Sequence, residues 1–404
     1  MIMSRTTRSN LSRLGIVVAL AFMLSAVALA QVNAVYIVSN IGQVPNANSI
    51  LAFSNDGTGK LTPITGSPFK TTGTGVFNSN SIMSPAFQAD QEVVVNSAGT
   101  LLLAVNGNSD TISSFAINSN GRLKVLSTTP SGGQDPVSIG LDENSLAGAQ
   151  VTVINQAADP NQTGGIPNVT SFLLNESTGV LTAVANSTIN FPTGSLPSQA
   201  LVSPSGKFVF TVQFMGGGLF SSYNVGSDGL FTLNNSMLPT GGVFLGAGAH
   251  PKQRALYVGE PNKGEMVVYT YNTAGVLARV RLVVVPGTLV CWFETNKAGT
   301  RLYTNSSGTN QISVFDISGA NFTKPLQLQS LTTLPGGETT NIKLDPTEQF
   351  LYVLGSQPSS TTPGNFLHVL NVSSVDGTLT ETQTPIKLGV HTGEVPEGLA
   401  VVMK

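Results

Sequence analysis

Apolar and polar positions along the chain fall into a repeated unit of short strands and turns. An alternating apolar segment is followed by a Gly-containing turn and then a shorter strand opening on Leu or Phe. The unit is clearest from Ile50 (ILAFSNDGTGKL), Ile112 (ISSFAINSNGRL) and Val169 (VTSFLLNESTGVL), and it recurs from Phe220, Met266, Ile312 and Leu367. Three places on stands Phe53, Phe115, Phe172, Tyr223, Tyr269, Phe315 and, in the last copy, Leu370. Apolar residues at i, i+3 and often i+5 do not follow a strict period of two. The β-branched and aromatic content and the flanking turns still predict strands and not helices. Asn120-Gly121, Asp228-Gly229 and Asp376-Gly377 supply the positive φ of tight hairpins.

Each copy is preceded by another strand, such as Val35-Tyr36-Ile37-Val38, Phe208-Val209-Phe210-Thr211 or Leu351-Tyr352-Val353. Ahead of most of these lies a turn, as at Ser203-Pro204-Ser205-Gly206-Lys207, and before it a Gly-led strand such as residues 194–202. Four strands per unit, with units stepping by 46 to 62 residues, predict propeller blades, whose sheet faces are buried only when blades stack around an axis. Seven copies predict an all-β, seven-bladed β-propeller. The first copy lacks its own inner strand, and residues 393–402 (GEVPEGLAVV) read like the missing one. The first blade is therefore expected to be closed by the C-terminal strand.

Residues 1–30 precede the repeats. Arg5, Arg8 and Arg13 are followed by an uncharged run from Leu14 to Ala30 ending in Ala28-Leu29-Ala30. This is the pattern of a cleaved secretory signal, with an uncleaved anchor as the alternative. Residues 31–404 are then the propeller, in an extracytoplasmic (periplasmic or secreted) setting and with no membrane attachment after cleavage.

The blade patterns resemble the lactonase-like seven-bladed propellers, the group of 6-phosphogluconolactonase and YVTN-repeat proteins. The resemblance rests on Gly59-Lys60-Leu61-Thr62-Pro63-Ile64-Thr65-Gly66-Ser67-Pro68-Phe69, on residues 203–207 and on Leu256-Tyr257-Val258. It implies the same fold over residues 31–404, and a lactonase site of His, Glu and Arg near the central channel. In the matching stretches, Val243-Phe244-Leu245-Gly246 has neither His nor Arg, and Glu260 follows Tyr257-Val258-Gly259 one residue early. A one-residue shift turns a strand side chain to the other face unless a bulge corrects it. His250 occupies the turn before Pro251 and does not replace the missing His. The expectation is a ligand- or partner-binding or scaffold propeller; the alternative is a lactone hydrolase with a rearranged site, for which Glu260 or a cluster of inner-strand acids is the catalytic candidate.

Composition narrows this further. Only 10% of residues are charged and the net charge is −2, becoming −5 once the three arginines of residues 1–30 are removed. That leaves no basic footprint for nucleic acid. One cysteine, Cys291, and three histidines offer no disulfide framework or His/Cys metal centre, and no metal or cofactor is expected. Lys343 is the clearest basic residue on a predicted inner strand, so a phosphosugar ligand, which needs converging Arg or Lys, is not expected.

Acids are better placed: Asp135, Glu294, Glu338, Glu394 and Glu397 fall in or just before inner strands of four blades. They could form an acidic channel mouth that binds a cation or a hydroxyl-rich ligand, or they could be solvated loop acids. Trp292 could stack on a sugar or pack between blades. The longest connections, about 65–86, 155–168 and 356–365, should emerge on one face. A carbohydrate or protein ligand is the expected partner there, for a chain expected to be monomeric.

Overall fold

The seven expected blades form seven antiparallel sheets of four or five strands each in the computed structural model. It describes Met1 and residues 33–77, 88–331, 334–356, 365–389 and 394–403; the leader-like segment therefore lies outside the described residues. Blade four shows the plan: Pro197–Val202, Phe208–Gln213, Phe220–Val225 and Phe231–Met237 follow in order from the axis outward. The other inner strands are Val93–Val95, Pro136–Asp142, Ala247–Ala249, Val290–Thr295 and Glu338–Leu344. Helical structure among the described residues is confined to three short 3-10 turns, Pro261–Lys263, Ser307–Thr309 and Gly319–Thr323.

Blade one is closed as expected. Its inner strand is Glu397–Met403, paired antiparallel with Asn33–Val38 from Asn33 opposite Met403 to Val38 opposite Glu397. The register slips between Ile37 and Val38, so that Gly398 is skipped in a bulge with φ +68°. Every blade therefore has its inner strand, and no second-strand edge is left open at the join of the ring.

The packing explains the irregular apolar period. Both faces of a blade are buried, so side chains of either parity need an apolar partner. Ile50 packs with blade two, whereas Phe53, three residues on and on the opposite face, packs with blade seven. Ile112 and Phe115 divide in the same way between blades three and one. Ile312 and Phe315 divide between blades seven and five. One short strand thus contributes to two cores.

Tyrosines at one position of the second strand fasten blade to blade. The hydroxyl of Tyr36 donates to Gly121 O (2.8 Å), that of Tyr257 to Phe322 O (3.0 Å) and that of Tyr303 to Gly377 O (3.1 Å). Tyr352 instead accepts from Asn55 Nδ2 at 2.7 Å, linking blade seven to blade one. Gly121 and Gly377 can offer those carbonyls because their φ of +77° and +76° makes the tight turn.

Candidate functional site

The inner strands surround an axis that is not open along its length. Residues 89–91, just ahead of Val93–Val95, lie across it. Asp90 N donates to Ser198 O of blade four (3.3 Å), Gln91 O accepts from Ile139 N of blade three (2.9 Å), and Ala89 O accepts from Asn341 Nδ2 of blade seven (3.2 Å). Gln91 takes a left-handed φ of +70° to make the crossing, a conformation held only when the surroundings fix it. Gln199 does so in part, donating through Nε2 to Gln91 Oε1 (3.2 Å) while its own Oε1 accepts from Ala247 N (2.7 Å).

On one side of this plug is a cavity of about 210 Å³ lined by Asp90, Glu143, Glu294, Lys343 and the apolar residues of the surrounding inner strands. Lys343 Nζ donates to Glu294 Oε1 at 2.6 Å across the join of blades seven and six. Burial works against the ammonium charge, but Glu294 and then Asp90 more than offset it and hold Lys343 above the usual lysine range. Asp90 Oδ1 accepts from Asn341 Nδ2 at 3.1 Å. Burial raises Asp90 to about 6, with Lys343 opposing the rise and Glu294 adding to it. The result is a carboxyl that titrates near neutrality beside a fixed cation.

On the other side, the first residues of three blades bring Glu92, Asp135 and Glu397 around a small chamber. Asp135 is fully buried and pushed up to about 8, by burial first and then by Asp159 and Asp110. Glu92 and Glu397 are raised well above the ordinary carboxyl range by burial, with Asp90 acting on Glu92 and Glu92 and Asp135 acting on Glu397. Among the described residues, no three His, Cys, Asp or Glu side chains are grouped to hold a metal ion.

The other sequence candidates lie elsewhere. Glu260 ends Ala255–Glu260, is fully buried, and accepts from Thr240 N and Thr240 Oγ1, both at 2.7 Å. It secures the turn around residue 240, with no Arg or His among its hydrogen-bond partners. Glu338 is partly buried at the start of its inner strand, with its carboxyl raised by burial, and lines neither cavity. Glu394 is buried just ahead of the closing strand, its backbone carbonyl accepting from Asn365 Nδ2 at 3.3 Å. Trp292 is 3% exposed and packs with Leu245, Cys291 and Leu351 in the core of blades five to seven.

His250 sits in its turn, its Nδ1 accepting from Lys252 N (3.1 Å) and Gln253 N (3.0 Å). His368 is buried against Glu381 at 2.7 Å, and His391 lies outside the described residues. Cys291 is buried, its thiol pushed up to about 11 by burial, as an inert apolar residue should be.

Two acids of the axis, Asp90 and Glu92, are absent from the sequence candidates. The available signal was the rule that selected Asp135 and Glu397, an acid in or directly ahead of an inner strand. It was obscured because Val93–Val95 is only three residues long.

Several solved structures share this architecture over nearly their whole length. A periplasmic gluconolactonase from Pseudomonas aeruginosa superposes with a TM-score of 0.67 at 14% identity, covering 91% of this chain and 99% of that one. The fold is that of the lactonase-like seven-bladed propellers. A candidate 6-phosphogluconolactonase from Bacteroides uniformis matches with a TM-score of 0.68 at 18% identity, over 92% of this chain and all of that one. Its counterpart from Bacteroides fragilis gives 0.66 at 16%, over 92% and 98%. No family model matches the sequence, and no curated protein does. At such identities the lactonase-like likeness is one of fold, and chemistry must be argued from the site.

Proposed function

We propose that this is an extracytoplasmic binding propeller whose axial cavity takes a small neutral, hydroxyl-rich ligand of monosaccharide size. The cavity beside the plug carries the proposal. It presents acceptors on Asp90 and Glu294 and a donor on Lys343. Such a mixed set suits hydroxyl groups, which both donate and accept. About 210 Å³ is below the roughly 300–1,000 Å³ of pockets for drug-sized molecules. Three carboxylates, Asp90, Glu143 and Glu294, and a single ammonium line it, so a phosphate would meet net negative charge. The leader pattern, the single thiol and the periplasmic relative of the same fold support the location.

Calorimetric titration with neutral monosaccharides, aldonolactones and their phosphorylated counterparts tests this. Neutral ligands should bind and phosphorylated ones should not. Asp90→Asn should weaken binding about tenfold or more, because a hydrogen bond to a charged group contributes about 1.5–3 kcal/mol. Silence across the neutral panel would sink the proposal.

A second reading, lactone hydrolysis, is favoured by one observation: Asp90, at about 6, is suited to accept a proton near neutral pH. Asp90 would take a proton from water, whose oxygen attacks the lactone carbonyl. The ring C–O bond then breaks, and the leaving alkoxide is reprotonated to give the hydroxy acid. Lys343 would stabilise the oxyanion. Acid release from an aldonolactone by the wild type, lost in Asp90→Asn, would replace the binding proposal with this one.

A further inference from the structure

The chamber on the other side of the plug is built from groups that ordinarily avoid one another. Glu92, Asp135 and Glu397 are 2%, 0% and 4% exposed. Both carboxyl oxygens of Glu92, Oδ1 of Asp135 and Oε1 of Glu397 have no hydrogen-bond partner. The remaining oxygens are modestly served: Asp135 Oδ2 accepts from Ala158 N at 3.1 Å, and Glu397 Oε2 from Asn40 Nδ2 at 3.4 Å. The space between them is about 10 Å³, room for roughly one water. Its lining contains no Lys, Arg or His. The charged groups acting on the trio from adjoining segments are all acids: Asp90 on Glu92, and Asp110 and Asp159 on Asp135.

Three ionised carboxylates cannot share such a space, because each isolated buried charge is strongly disfavoured and neighbours of like sign add to the cost. Neutral carboxyls can, since a protonated one donates to its neighbour.

The trio sits where the ring is joined. Glu397 opens the closing strand, opposite Val38 and beside the bulge at Gly398. A Cβ on Gly398 would lie 2.9 Å from Glu92 Oε2, so the closing strand passes directly over the Glu92 carboxyl. Ladder pairing is already interrupted there, and Gly398 N is held instead by Asn341 Oδ1 of blade seven at 3.1 Å.

We propose that Glu92, Asp135 and Glu397 form a proton-operated latch on the closing strand. While they are neutral, the start of Glu397–Met403 is seated against blade two; as they ionise, repulsion releases that end and opens the axial chamber. The sign follows from linkage. These carboxyls hold protons in the folded state that they lose when unfolded, so their contribution is fully present below the ordinary carboxyl range. It is lost as pH rises, for Asp135 between about 4 and about 8.

Hydrogen-exchange mass spectrometry from pH 5 to pH 9, corrected for the intrinsic rate of exchange, reads the latch at the peptides covering residues 33–38 and 397–403. In the wild type, opening of these strands should rise at least tenfold across that range. Glu397→Gln, which mimics the neutral acid, should flatten the rise, as should Glu92→Gln. An equal rise in both variants overturns the proposal. A second measurement needs no variant: the infrared band of protonated carboxyl groups should be present at pH 6 and diminish by pH 9. Its absence at pH 6 overturns the proposal, as does suppression of the wild-type exchange response by millimolar calcium that a chelator reverses.

Discussion

A chain lacking residues 393–404 is expected to lose cooperative thermal unfolding altogether. Strand Glu397–Met403 buries Leu399, Ala400, Val401 and Val402 against two adjoining blades. Its three larger apolar side chains contribute about 1.5–3 kcal/mol each. Their loss would also uncover Val35, Tyr36 and Ile37, now fully buried, and leave the backbone of Asn33–Val38 without one of its two partners. These losses together are comparable with the whole stability of a typical domain, about 5–15 kcal/mol. The remaining chain would have two open blade flanks where it now has none. Calorimetry or circular dichroism distinguishes a broad, low-amplitude melt from an unchanged transition, and the latter would refute closure by the C-terminal strand.

The second large effect is expected at Phe220. It lies fully buried where blades four and five meet, with its ring 5.3 Å from Tyr269, 6.0 Å from Phe210 and 6.1 Å from Phe244 between centroids. Phe220→Ala would remove the ring that all three share. The surrounding strands are hydrogen-bonded on both sides and cannot collapse onto the cavity. Loss of about 3–5 kcal/mol is expected, as for other buried aromatic truncations, measured by denaturant unfolding. Phe220→Leu should retain more than half of the lost stability, since it keeps most of the volume. Equal destabilisation by both variants would show that shape, not volume, governs this join.

These two effects come from features of different legibility. The closing strand could be found in the sequence because it repeats a pattern seen in other blades and one blade lacked it. The aromatic at i+3 was equally visible, but its meaning was not. Phe53 and Ile50 look out of phase until a neighbour is placed on each face of the sheet, and the neighbours of a blade are set by the ring as a whole.

The same limit applies at the axis. Asp135 and Glu397 could be singled out because one directly precedes an inner strand and the other opens one. Nothing in the sequence shows that they share a chamber, or that Glu294 bonds Lys343, 49 residues away. Glu92 obeys the same positional rule but precedes a strand too short to be noticed. For Trp292 the sequence left stacking on a sugar and packing between blades both open, and its side chain lies in the core.

Closure by antiparallel pairing also fixes where the polypeptide is topologically free. Asn33 and Met403 face one another as Cα partners in adjacent strands, so the circle of strands would be covalently continuous if a short linker joined them. A break placed instead at an outer hairpin such as Asp228-Gly229 would then leave every strand pairing in place. The interruption in blade one is thus a matter of circular permutation: the architecture is indifferent to where along the circle translation starts.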